Sequence, residues 1–309
     1  VNLLVQHSAR IIVLDQHTLR PRVATVDTEA DIVACQGDIR DFELVRNLLV
    51  QHDVQLVFHL AAQPLIPVAH QQPADTLATN VLGTWTVLEA VRASGRDIGV
   101  IFASSGAYYG ATALDTPIPE TAAPNVITNV YAASKIAADV TVQAYARAFG
   151  LKTATCRFMN TYGPGDDNVS RIIPRAIRLL LSNEAYDFGD REDGTSRLSY
   201  LHVRDMAAAY LAVASRLDAV AGEVFNFGTS ELLETRAIVE LVSRLFDGVS
   251  REPRFAGPHR GVAKRLDFSK AERNLEWRPR IDLATGLAET IAWYRTQWST
   301  LEAIDSPAS

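Results

Sequence analysis

The sequence predicts an α/β chain, a doubly wound parallel sheet carrying a smaller lobe toward its C-terminus. Three observations carry that reading. Short apolar runs alternate with longer amphipathic stretches from about residue 10 to 157. Each amphipathic stretch is long enough to cross back over a sheet between parallel strands. Beyond residue 157 the alternation gives way to Gly-, Asp- and Pro-rich loops around 163–168 and 189–196.

Taken in order, residues 1–7 read as the last turns of a helix that feeds a strand at 10–14. Apolar runs predict further strands at 32–35, 55–59, 100–104 and 153–157. The stretches between them predict helices at 41–52, 73–93 and 127–149, and two more follow at 171–182 and 205–215. Residues 1–157 are expected to form the core, 158–301 mainly a substrate-binding lobe interleaved with it, and 302–309 a frayed tail.

Bulk composition narrows the class. The 309 residues are 48% hydrophobic and 21% charged with a net charge of −6, an ordinary globular composition. No basic block suggests a nucleic-acid or anionic-membrane surface, and no run reaches the length of a membrane span. Cys35 and Cys156, with apolar neighbours, form neither a disulfide framework nor a metal-ligand spacing. The expectation is a cytoplasmic enzyme for a small molecule, without metal.

Two groups of residues carry chemistry. Tyr131-Ala132-Ala133-Ser134-Lys135 sets a phenol and an ammonium one helical turn apart on one face. A nearby ammonium favours the phenolate, which makes a tyrosine a usable general base near neutral pH. On spacing alone the pair reads equally as a solvated helix face. Ser104 and Ser105 stand at the C-terminal end of a central strand, where open α/β sheets keep their sites. Ordinary turn chemistry accounts for them as well.

With these residues in hand a family resemblance is legible. Asp38, His59-Leu60-Ala61-Ala62, Asn80, Ser104-Ser105, Tyr131-x-x-x-Lys135 and Asn160-Thr161-Tyr162-Gly163-Pro164-Gly165 resemble, in order and spacing, the NAD-dependent epimerase/dehydratase family of nucleotide-sugar enzymes. The likeness continues through 197–205, 225–228 and 267–279. It implies a Rossmann-like fold of the extended short-chain dehydrogenase type, NAD as cofactor, a nucleotide-diphosphate sugar as substrate and a homodimer formed through helices 73–93 and 127–149. It implies Tyr131 as the base, Lys135 as the group that supports it and holds the nicotinamide ribose, and Ser105 as the partner of the reacting oxygen. Asp15 would meet the adenosine ribose, Asp38 and Ile39 the adenine end, and Leu60, Ala61, Ala62 and Asn80 the cofactor's centre. Asn160, Arg197 and Arg260 would hold the diphosphate.

The resemblance also sets an expectation about the front of the chain. Such folds run their first strand into a glycine-rich turn that lets backbone and helix N-terminus approach the pyrophosphate. No such turn occurs here, so the strand at 10–14 would be the second of the sheet. A first strand and glycine loop, about twenty residues, would be absent.

Within the family the residue after the serine divides the reactions. Loss of water needs an acid for the leaving hydroxyl, and the sugar 4,6-dehydratases carry Asp or Glu there. Gly106 and Ala107 fill those places here, and neither transfers a proton. The expected activity is therefore a nucleotide-sugar epimerase working through a keto-sugar. The alternatives are a 4,6-dehydratase of the GDP-mannose or CDP-glucose type, and a non-catalytic relative that binds a nucleotide sugar or a partner.

Overall fold

The computed structural model describes residues 2–6, 9–17, 31–110, 112, 116–125, 127–191, 193–258 and 261–305. It divides into two compact units, the first comprising Val1–Gly110, Ala123–Arg157 and Tyr210–Phe225. The second comprises Ala111–Ala122, Phe158–Ala209 and Asn226–Ser309. Thus 111–122 group with the second unit and 210–225 with the first.

In the first unit a short helix, α1 (Asn2–Gln6), precedes β1 (Ile11–Asp15), which pairs parallel with β2 (Ile32–Gln36) from Ile11↔Ile32 to Asp15↔Gln36. Four further strands, β3 (Leu56–His59), β4 (Gly99–Ser105), β5 (Thr153–Phe158) and β9 (Glu223–Phe227), form a second sheet in the order β3-β4-β5-β9. β3 and β4 run parallel, from Leu56↔Gly99 to His59↔Phe102. Among the described residues no strand joins β1 to β3, so the first unit holds two sheets rather than one.

The helices explain their own boundaries. Asp41 opens α2 (Phe42–Gln51) by accepting the Leu44 N–H at 3.0 Å, and Val45 and Leu49 turn inward. They pack with Val87, Leu88 and Val91 of α5 (Gly83–Ala93) and with Val100 and Phe102 of β4. The expected single helix 73–93 is instead α4 (Pro73–Leu77), a π turn over Ala78–Leu82, and α5. The π turn carries Asn80, whose side chain is buried and bonded. Gly83 follows, and a Cβ there would lie 2.5 Å from Ile39 Cδ1, so any larger residue would have to displace the Ile39 side chain from the turn after β2. α3 (Ile66–Gln71) lies between β3 and α4. α6 (Val130–Phe149) begins where Asn129 accepts the Ala132 N–H at 2.8 Å and ends on Gly150, at φ +68°.

In the second unit β6 (Thr161–Tyr162) pairs parallel with β8 (Leu201–His202). β7 (Arg197–Leu198) lies between β10 (Leu233–Glu234), antiparallel to it, and β11 (Ala263–Lys264), parallel to it. α7 (Ile172–Leu181), α9 (Thr235–Asp247) and α11 (Leu283–Asp305) share a core that includes Ile173, Ile177, Ile238, Val242, Leu287 and Tyr294. α11 continues through Glu302–Asp305, residues the sequence pattern assigns to a tail. α8 (Val203–Ala214) and α10 (Ser269–Leu275) complete the elements.

Asp205 clamps the second unit. Its carboxylate accepts the N–H groups of Arg280 at 3.1 Å and Ile281 at 3.0 Å, and its carbonyl accepts Trp277 Nε1 at 3.1 Å. The sequence fragments 202–205 and 275–279 therefore form one structural feature. Replacing Asp205 by alanine is expected to cost about 2 kcal/mol, read as a lower urea midpoint. An unchanged midpoint would show that the clamp adds nothing.

Candidate active site

The C-terminal end of β4 and the first two turns of α6 bring the expected catalytic residues into the first unit. Lys135 is 5% exposed, and its ammonium donates to the Ala103 carbonyl at 2.9 Å while lying 5.2 Å from the centre of the Phe102 ring. Burial pushes its pKa down to about 8, against the pull of the Asp139 carboxylate one turn further along α6. An ammonium has three donors, and the Ala103 carbonyl takes one. A sugar or ribose hydroxyl fits the remaining capacity. Tyr131 is half-buried one turn before Lys135, and its carbonyl accepts the Ser134 hydroxyl at 2.7 Å.

The two serines play different parts. Ser104 is buried and gives its hydroxyl to Asp139 Oδ2 at 2.6 Å. Ser105, half-buried and extended at φ −144°, caps the single 3₁₀ turn Gly106–Tyr109 by accepting the Ala107 N–H at 3.1 Å. Gly110 ends that turn at φ +69°, ψ −156°, a region only glycine occupies without strain.

Asn80 is 2% exposed and spends its amide inside the protein. Its Oδ1 accepts the Gln63 N–H at 2.7 Å, and its Nδ2 donates to the Gln63 carbonyl at 3.0 Å and to Ser134 Oγ at 2.8 Å. It thus latches the segment after Ala61 and Ala62 to the helix of Tyr131 and Lys135. His59 supports the same segment: its Nε2 meets Thr84 Oγ1 at 2.9 Å, its ring stacks on Phe102, and burial depresses its pKa to about 3, so it is neutral. Leu60, next in the chain, is 54% exposed.

Asp15 and Asp38 meet at the C-terminal end of β1 and β2. The Gly37 N–H binds the Asp15 carbonyl at 2.8 Å, and Asp15 Oδ1 accepts the His17 N–H at 2.9 Å. Asp38 accepts Gln16 Nε2 at 3.0 Å and is gripped by Arg40, whose side-chain hydrogen bonds hold the carboxyl below its usual range. Ile39, buried, packs beneath Gly83. An exposed carboxylate and a free strand end suit ribose hydroxyls.

The second unit holds Asn160, exposed, with Nδ2 on the Ser199 carbonyl at 3.1 Å, and Arg197 in β7. Arg260 lies outside the described residues.

Sequence reasoning missed the residues that hold this site together: Gln63, Thr84, Ser134, Asp139 and Arg157. Asp139 had a readable signal. It repeats the four-residue spacing from Tyr131 and Lys135, which places a third ionisable group on the same helical stripe. Among the described residues no cluster of His, Cys, Asp or Glu suits a metal ion, and no helix is long and apolar enough to cross a membrane.

Comparisons with known proteins show which family the chain falls in. The chain is 30% identical to the CDP-glucose 4,6-dehydratase of Salmonella typhimurium, over 84% of this chain and 76% of that one. It spans 43% of a larger trifunctional relative from Arabidopsis thaliana. The crystal structure of a dTDP-glucose 4,6-dehydratase from Streptomyces venezuelae with NAD bound superposes with a TM-score of 0.86 at 28% identity, covering 96% of this chain and 91% of that one. A UDP-glucose 4-epimerase from Thermotoga maritima, determined with UDP-glucose, gives 0.82 at 27% identity, covering 96% and 94%. Residues 1–228 match the model of the NAD dependent epimerase/dehydratase family. A Tyr-x-x-x-Lys face against a serine at a strand end, in a chain so matched, leaves one assignment: this protein belongs to the NAD-dependent epimerase/dehydratase family.

Proposed function

We propose that the chain epimerises a nucleotide sugar at a carbon it first oxidises to a ketone. The observation that carries this reading is the turn after Ser105. Gly106 and Ala107 fill it, and Gly106 is buried, so no proton donor stands where loss of water would need one.

When bound, NAD would supply the acceptor for the hydride of the sugar C–H bond and the donor that restores it. Tyr131 takes the hydroxyl proton as the C=O bond forms and gives it back as the C–H bond is remade. Lys135 favours the phenolate and offers donors to the nicotinamide ribose. Ser105 holds the reacting oxygen by a hydrogen bond. Asp15, Asp38 and Ile39 serve the adenosine end, and Leu60, Ala61 and Ala62 the middle, positioned by Asn80. Asn160, Arg197 and Arg260 hold the diphosphate. No glycine-rich turn accompanies β1 among the described residues, so this assignment covers only the two ends and the middle of the cofactor.

Product analysis separates the readings. Incubating the chain with NAD and a panel of nucleotide sugars is expected to yield an isomer of unchanged mass. A product lighter by one water would instead support the 4,6-dehydratase reading, which the Salmonella relative favours.

The reading includes a homodimer. Leu82 and Trp85 in the 73–93 stretch, and Val140 and Phe149 on α6, are between 42% and 55% exposed, an apolar surface suited to burial against a second copy. The double substitution Trp85→Asp/Val140→Asp is expected to halve the mass measured by light scattering. A parent chain already monomeric would contradict this part of the proposal.

A further inference from the structure

A charged network that the proposed chemistry does not use lies directly behind these residues. Asp139 and Arg157 are 0% and 1% exposed. Arg157 grips both carboxylate oxygens, Nε to Oδ2 and Nη2 to Oδ1, each at 2.9 Å. Ser104 Oγ and Gln143 Nε2 fill the remaining carboxylate sites at 2.6 and 2.7 Å. Nη1 of the arginine donates to the Tyr109 hydroxyl at 2.9 Å, and the guanidinium carbon sits 3.4 Å from the centre of the Tyr108 ring.

The placement of these bonds is informative. Ser105 lies between Ser104 and the turn of Tyr108 and Tyr109, and the pair holds both flanks. Asp139 stands one turn from Lys135 and two from Tyr131, on one helical stripe. Burying an ion pair is a poor route to stability, because desolvation offsets the attraction; what a bidentate pair supplies is fixed geometry. Resting on the reading above, we propose that the Asp139–Arg157 pair is a positioning unit that clamps the Ser105 turn to the Tyr131–Lys135 face of α6 and sets the charge that Lys135 experiences. Around Lys135, β3 contributes the neutral His59, β4 the Phe102 ring and Ala103 carbonyl, α6 Tyr131 and Asp139, and β5 Arg157, engaged with Asp139. The Asp139 carboxylate is thus the anion that favours the Lys135 ammonium.

The test uses Asp139→Leu/Arg157→Met, which leaves no orphaned charge and is expected to keep Tm within about 5 °C. The chain has only four lysines, Lys135, Lys152, Lys264 and Lys270, so ¹³C-lysine NMR of the ligand-free protein resolves the Lys135 titration, assigned by its absence in Lys135→Arg. Its midpoint, near 8 in the parent, is expected to move down in the double variant. With NAD and sugar, kcat is expected to fall about tenfold or more at unchanged KM, and to fall by a smaller factor when the pair is removed from a Ser105→Ala background. An unmoved Lys135 midpoint, or a kcat loss that persists undiminished on Ser105→Ala, overturns the proposal. Absence of turnover in the parent overturns the catalytic reading instead, and the Lys135 titration still decides the positioning role.

Discussion

Tyr131→Phe is expected to lower kcat by about 10²–10⁴-fold while leaving the melting temperature where it was. Phenylalanine keeps the ring and its packing at the start of α6, and the capping bond from Asn129 to the Ala132 N–H does not involve the phenol. What disappears is the group proposed to take the hydroxyl proton as the sugar is oxidised. KM for the sugar is expected to change little, because that proton moves only in the transition state. A variant with near-parental kcat would remove Tyr131 from the mechanism. A variant that lost activity together with its fold would say nothing specific about the base, so a thermal melt accompanies the kinetics.

The second large effect concerns stability. Asp139→Asn is nearly isosteric, yet it strips the counter-charge from an arginine that is 1% exposed. Breaking one member of a buried pair costs about 3–5 kcal/mol, because the survivor is left charged in a medium that solvates it poorly. Arg157 cannot escape by losing its proton, since guanidinium remains charged in proteins. The expected drop in Tm is about 10 °C. The companion Asp139→Leu/Arg157→Met recovers most of it, and that recovery identifies the orphaned charge, rather than lost packing, as the cause. A single variant that melts with the parent would mean that water reaches Arg157 in solution.

Much of the fold could be read in the residues. The apolar runs at 32–35 and 55–59 became β2 and β3 within a residue at each end, because a strand in a parallel sheet advertises itself by composition. Helix 73–93 was legible as a helix but not as one with a π turn, because that irregularity arises from where Asn80 finds partners, on Gln63 and Ser134, far away in sequence. The second unit was harder. β6, β7, β8, β10 and β11 are two residues each, shorter than any periodicity can register. α9 carried a clear amphipathic pattern through Ile238, Val239 and Val242 that the loop-rich neighbourhood obscured.

The site divides along the same line. Tyr131, Lys135 and Ser105 can be proposed from the sequence because their chemistry and spacing are local. Ser104 differs from Ser105 only in three dimensions, where its hydroxyl turns onto Asp139 while that of Ser105 caps the next turn. Asp139, Arg157 and Tyr109 come from α6, β5 and the turn after β4, and no single stretch of sequence joins them.

The central claim is that Tyr131 and its neighbours oxidise a sugar hydroxyl. Mixing the NAD-supplied protein with excess nucleotide sugar in a single-turnover spectrophotometric experiment tests it directly. The account predicts a transient rise in reduced-nicotinamide absorbance for the parent chain, decaying as the isomer forms, and none for Tyr131→Phe. Equal transients in the two proteins, or isomer formed by the parent with no transient on rapid mixing or in a rapid chemical quench, would contradict it.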